Sequence, residues 1–146
     1  MPTSIREQIL AAFKARLDTI SGVTVERNRV EPVAVFPTLI MIDGGQTLSE
    51  ENAGLKLYAL RVDVEGYVQG TAAANLGPAL SDLYAQAVKA LMADRTLGDL
   101  AIDVREGEMR DPEIDRTQGH SPFAAFSLAF FIDHFTDPND PYQPAP

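Results

Sequence analysis

The two histidines, His120 and His134, are the first groups to weigh for metal or acid–base chemistry. They flank one apolar run, roughly 46 Å apart if that run is an extended strand, so they cannot share a metal within one subunit. Each reads as a structural or surface histidine. His134 follows Asp133, but neighbours on a strand point to opposite faces, which weakens that pair. Asp63 and Glu65 are the candidates for paired carboxylates, on one strand face about 6.6 Å apart. Arg61 lies beside them on the same face, and the trio Arg61, Asp63 and Glu65 reads better as a charged ladder. Such a ladder is either solvated or set against a second subunit. Asp137, Asn139 and Asp140 suggest calcium only superficially, because the loop lacks the central glycine and twelfth-position glutamate of an EF-hand. Gly44-Gly45 belongs to no dinucleotide or phosphate loop and reads as a turn after a strand. None of the serines sits in a nucleophile elbow. Arg27 and Arg29 make a small basic spot without a lysine/arginine stripe or stacking aromatics, so no specific nucleic-acid partner is expected. The residues therefore offer no catalytic, cofactor or metal site.

Whatever positions these groups is one domain's worth of chain. The sequence has 146 residues, 45% of them hydrophobic, which suffices to bury a core without staples. Cysteine is absent, which excludes disulfides, thiolate metal sites and cysteine nucleophiles. The net charge of −9 argues against an electrostatic grip on nucleic acid or an anionic membrane. No run is long and apolar enough to span a bilayer, and Met1 to Glu7 form no secretory segment. The expectation is a soluble acidic protein. Its acid is uneven: residues 99–146 carry 3 basic and 10 acidic side chains. That excess is either a solvating surface or a face for a basic partner.

The hydropathy pattern orders the elements. Ser4 and Glu7 have capping-box spacing ahead of Ile5, Ile9, Phe13, Leu17 and Ile20, which predicts a helix over 4–19 ended by a left-handed Gly22. Residues 23–27 and 38–43 read as strands, the second covered on both faces, with a proline-bearing loop between. Residues 55–69 alternate most cleanly: Tyr58, Leu60, Val62 and Val64 against Ala59, Arg61, Asp63 and Glu65. Gly66 suggests a bulge or bend. A second helix carries Leu76, Leu80, Leu83, Tyr84, Ala87, Val88 and Leu91, starting near Thr71 or at Pro78. Leu100, Ile102 and Val104 suggest a strand. Residues 123–135 are apolar on both faces and belong in the middle of the sheet. The polar stretch 106–121 reads as a hairpin arm or a loop. The last eleven residues hold four prolines and read as an extended tail, 136–146, after a single domain over 1–135. The order α-β-β-β-α-β-β with short links predicts an α+β fold, a mainly antiparallel sheet of about five strands with both helices on one face.

This arrangement resembles the small tail-terminator and minor tail proteins of tailed bacteriophages, prophages and gene transfer agents. The stretches that carry the likeness are IREQILAAFKARL, GVTVERNR, FPTLIMIDGG, YALRVDVEGYVQG, LGPALSDLYAQAVKALMAD and EGEMRDPEIDRTQGHSPFAAFSLAFFIDHFTDPNDPY, in that order. The resemblance implies a structural protein of the virion tail, without enzymatic activity or cofactor, assembled in the bacterial host cytoplasm. It implies a ring, typically of six copies, that caps the tail tube protein and offers a docking surface to the head–tail connector protein. Arg61, Asp63 and Glu65 are then candidates for the contact between subunits. Two alternatives stand beside it: a head–tail connector, neck or other tail accessory protein of similar fold, and a cellular small-molecule-binding α+β domain.

Overall fold

A computed structural model describes residues 2–70, 75–115 and 121–146. It contains helix α1 (Ile5–Leu17), strands β1 (Thr24–Arg27), β2 (Thr38–Glu51) and β3 (Lys56–Gln69), helix α2 (Leu76–Met92), and strands β4 (Asp103–Met109), β5 (Glu113–Asp115) and β6 (Phe123–Thr136). The strands form one sheet in the order β1-β2-β3-β6-β4, with β5 also pairing β6. This is the expected α+β fold with both helices on one face, enlarged to six strands.

The hydropathy pattern explains the sheet's centre. β6 alternates two sets of mostly apolar side chains, so it belongs inside the sheet with both edges paired and its larger row under the helices. It pairs with β3 over its whole length, from Gln69 opposite Phe123 to Lys56 opposite Thr136. β4 and β5 take its other edge. Leu60, Val62 and Val64 of β3 and Phe126, Leu128, Phe130 and Ile132 of β6 are buried on the helix side. α1 lays Ile5, Ile9, Phe13 and Leu17 onto this layer, with Phe13 edge-on to Phe130 at 5.7 Å between ring centres. α2 contributes Leu76, Leu80, Leu83, Ala87 and Leu91. Each of these larger side chains, removed from water, stabilises the fold by about 1.5–3 kcal/mol.

Several local expectations change. The Ser4 hydroxyl does accept the Glu7 N–H (3.1 Å), but the Glu7 carboxylate turns to Arg27. α1 ends at Leu17 with Asp18 as its cap, and Gly22 (φ 76°) serves the turn beyond it. Gly44-Gly45 is not a turn: β2 continues to Glu51 and absorbs the glycines in a bulge between Asp43 and Gln46. There the backbone of Gly44 meets Arg61 so closely that a β-carbon would collide with the Arg61 carbonyl. Gly66 makes no bulge. Its pairing with Leu39 and Phe126 is in register, and the missing side chain is space for the Phe126 ring.

The sheet is mainly antiparallel, as expected, but β1 and β2 run parallel. The connection over 28–37 makes this possible by arching across the sheet face away from the helices. Arg29 pins the arch by donating to the carbonyls of Glu31 (3.1 Å) and Pro32 (3.0 Å). The strand expected from Leu100 begins only at Asp103, because Leu97, Gly98 and Asp99 form a left-handed turn with φ of 50°, 69° and 68°. That turn leaves Ala101 buried and Ile102 exposed, against the expected faces, while Val104 is buried as its alternation requires. Most of the described part of the polar stretch 106–121 is neither a hairpin arm nor a loop: β4 and then β5 run along the same edge of β6; residues 116–120, and the alternative helix start at Thr71, lie outside the described residues. Residues 137–143 do not run on as an extended tail. They turn back through Asp137 N–H to Gln143 O (3.0 Å), and Pro141 O accepts the Ile5 N–H (3.0 Å) at the start of α1.

Gly66→Ala places a methyl group inside the Phe126 ring, which is 3% exposed and packed edge-on to Tyr84 at 6.4 Å. We expect a loss of about 1–3 kcal/mol, read as a lower urea midpoint at unchanged slope.

Candidate functional site

The two faces of the sheet differ. The register places Arg61, Phe131 and Arg105 in one row, Asp63 and Ala129 in the next, and Ile40, Glu65 and Ser127 in the third. All of these point away from α1 and α2, on a face that no helix covers among the described residues. Arg61, Asp63 and Glu65 therefore do share one face, as their spacing requires. The structure joins two of them: Arg61 Nε donates to Asp63 Oδ1 at 3.1 Å. Glu65 instead accepts the Tyr67 hydroxyl at 2.9 Å. Burial, then the Glu65 carboxylate, push the Tyr67 phenol up to about 12, so it stays a donor at neutral pH. Arg61 keeps a 43% exposed side chain against 22% for Asp63, so their pair adds little to stability and leaves the guanidinium available to a neighbour.

Arg105 grips Asp133 through two bonds of 2.7 and 3.0 Å and lies 5.4 Å over the centre of the Phe131 ring. This second ion pair was not legible in the sequence, since it joins residues 28 positions apart. Strand alternation sets Asp133 apart from His134, which points to the helix side. His134 is 1% exposed and stacked on Tyr58 at 5.4 Å. Burial lowers its pKa below the ordinary 6.5, which keeps it neutral at pH 7. His120 lies outside the described residues.

The other candidate groups are occupied locally. Asp137 and Asp140 accept the backbone N–H groups of Asn139 (2.8 Å) and Tyr142 (3.0 Å), as turn formers do. Arg29 pairs with Glu26 at 2.8 Å. Arg27 is the hub between α1 and the sheet: its guanidinium binds Glu7 at 2.7 and 2.8 Å and Asp43 at 2.7 and 2.9 Å. These bonds hold both carboxyls below their ordinary values of 4.5 and 3.8 and raise the arginine further above its own.

One cavity on the uncovered face was missed entirely from sequence. The arch over 28–37 and the ends of β3 and β6 enclose a groove of about 750 Å³. Phe36, Tyr67 and Phe123 line it, with Ile40 at its floor and Glu65 and Gln69 at its wall. Phe36 and Phe123 lie 6.4 Å apart, centre to centre. These aromatics stand 31 and 56 positions from one another in the chain, so no local pattern gathers them.

No protein-family model matches the chain, and no curated protein matches it. Among solved structures it is similar to a chain described as the virion of a native gene transfer agent (GTA) particle. The identity is 12%, the TM-score 0.31, and the match covers 89% of this chain and 90% of that one. Similarity at this level leaves the functional reading to the residues themselves.

Arg27→Met leaves Glu7 and Asp43 without their partner. We expect a loss of about 2 kcal/mol at pH 7, held down by the exposure of Glu7. Because both carboxyls are depressed, their contribution is complete above the unfolded values and disappears as pH falls through the lower folded ones. Urea titrations from pH 7 to 2 should therefore show wild type and variant converging in the acid limb.

Proposed function

We propose that this protein is a structural component of a phage-type tail: a tail terminator that closes into a ring of six on the tail tube and offers the head-docking surface. The observation that carries this reading is the one-sided fold. Two helices cover one face of the sheet, while the other presents the Arg61–Asp63 pair, the Arg105–Asp133 pair and the half-buried rings of Phe131 and Tyr67. A face of apolar area interleaved with paired charges suits a contact between subunits, where shape supplies affinity and charge sets register. A ring requires a head-to-tail contact repeated until it closes, so each copy must carry two different complementary surfaces. The element order and the stretches quoted from Ile5 to Tyr142 support the tail terminator over other ring-forming proteins. On this reading the partners are further copies of the chain, the tail tube protein and the head–tail connector protein.

Light scattering coupled to size-exclusion chromatography tests the ring directly. We expect a concentration-dependent closed species near six times the 15.9 kDa chain mass. A dimer or a species that grows without limit would count against it. Arg61→Glu puts like charges together beside Asp63 and Glu65. We expect it to leave the thermal midpoint within a few degrees of wild type, because exposed ion pairs contribute about 0–1 kcal/mol. We expect it to abolish the closed species in the same chromatogram. Unchanged assembly would remove this face from the contact.

A further inference from the structure

We infer that the aromatic groove on the uncovered face receives the proline-bearing segment 138–146 of a second copy of this chain. The inference deepens the ring reading and rests on copies meeting head to tail.

The segment reads PNDPYQPAP, with Pro138, Pro141 and Pro144 at every third position. A polyproline II helix also repeats every three residues, so in that conformation the three prolines form one continuous ridge. Such ridges dock into grooves walled by aromatic rings, and their carbonyls, unpaired within the helix, take donors from the groove rim. The groove has that chemistry. Phe36, Tyr67 and Phe123 supply the rings, Ile40 the apolar floor, and the Gln69 side chain a donor at the rim. The bonds of Arg29 to Glu31 and Pro32, and of the Thr38 hydroxyl to Val35 O (2.6 Å), hold the arch in place, so the groove is formed before anything enters it.

The occupant must come from another copy. The groove lies where β6 begins, and the proline segment leaves where β6 ends. From Thr136 back to Phe123 is about 43 Å along the strand, and to Ala125, opposite Tyr67, about 36 Å. Residues 137–146, even fully drawn out as polyproline II, span only about 31 Å. A chain's own segment therefore falls short of its own rings. Groove and segment at opposite ends of one strand are the two unlike surfaces that a head-to-tail contact needs. In the isolated chain, residues 137–143 are held in a turn by backbone bonds among Asp137, Asp140 and Gln143 and by the Asp137 and Asp140 side chains, while the Ile5 N–H to Pro141 O bond ties the turn to α1; Pro144 to Pro146 lie beyond the last of these bonds. Opening that turn exposes the ridge to the next copy.

The chain has no cysteine, so single introduced thiols report this contact cleanly. Full-length chains carrying Gln69→Cys and Ala145→Cys separately are mixed and oxidised, and mixed-disulfide dimers are quantified against a Lys89→Cys and Ala145→Cys control on the outer side of α2. We expect at least a tenfold higher yield for the Gln69 pair. We expect Pro138→Ala, Pro141→Ala and Pro144→Ala together, added to the Ala145→Cys chain, to return it to the control level. Equal yields for the two pairs, or a yield indifferent to the prolines, would overturn the inference. If the triple proline variant does not fold, the Gln69 against Lys89 comparison decides alone. A closed ring without the mixed disulfide overturns the groove contact and leaves the ring standing. The mixed disulfide without a closed species supports the groove contact and counts against the ring.

Discussion

The fourteen-residue ladder between β3 and β6 is the constraint on which everything else rests. β6 is the last strand in the chain, yet it sits between β3 and β4. Its two apolar faces allow no other place, because an edge position would leave either its side chains or its backbone groups in water. Once it is inserted, its inward row of Phe126, Leu128, Phe130 and Ile132 sets where the helices lie. Phe13 finds Phe130 and Tyr84 finds Phe126, and the long amphipathic α2 has one way to bury its stripe.

The same ladder makes the protein one-sided. Both helices are drawn to the row that offers more buried area, and the second row mixes small and charged side chains (Ala125, Ser127, Ala129, Arg61, Asp63 and Glu65) with the rings of Phe123 and Phe131. What partial cover that face has comes from the arch between β1 and β2. It exists because two neighbouring strands run parallel and the chain must cross back over the sheet to join them. The groove around Phe36, Tyr67 and Phe123 follows from that crossing. Arg27 performs the matching task on the helix side, tying α1 to Asp43 where β2 bulges away.

Much of this could be read from residue order. Capping residues, the 3.6-residue stripe of α2 and the two-residue alternation of β3 are local signals, and each element appears where its signal lies. The common face of Arg61, Asp63 and Glu65 follows from alternation alone. Glycine was harder to read, because its meaning depends on the neighbour. At Gly44 and Gly66 it gives room to Arg61 and Phe126, and neither contact leaves a mark in the adjacent sequence. The shifted start of β4 has a local cause of another kind: the left-handed turn Leu97 to Asp99 lies just ahead of Leu100, and the Ala101 N–H still bonds back to the Thr96 carbonyl, so the strand begins only beyond it.

The amino-acid sequence by itself determined the α+β class, the helices, the alternating faces of β3 and the central place of β6, since each depends on side-chain periodicity within one element. Only the tertiary structure decided the parallel pairing of β1 with β2, the pairing of Arg105 with Asp133, and the gathering of Phe36, Tyr67 and Phe123 around one groove. These depend on which strands become neighbours and which way a loop crosses them. That choice is made by the whole core as it packs, and no short window of sequence contains it.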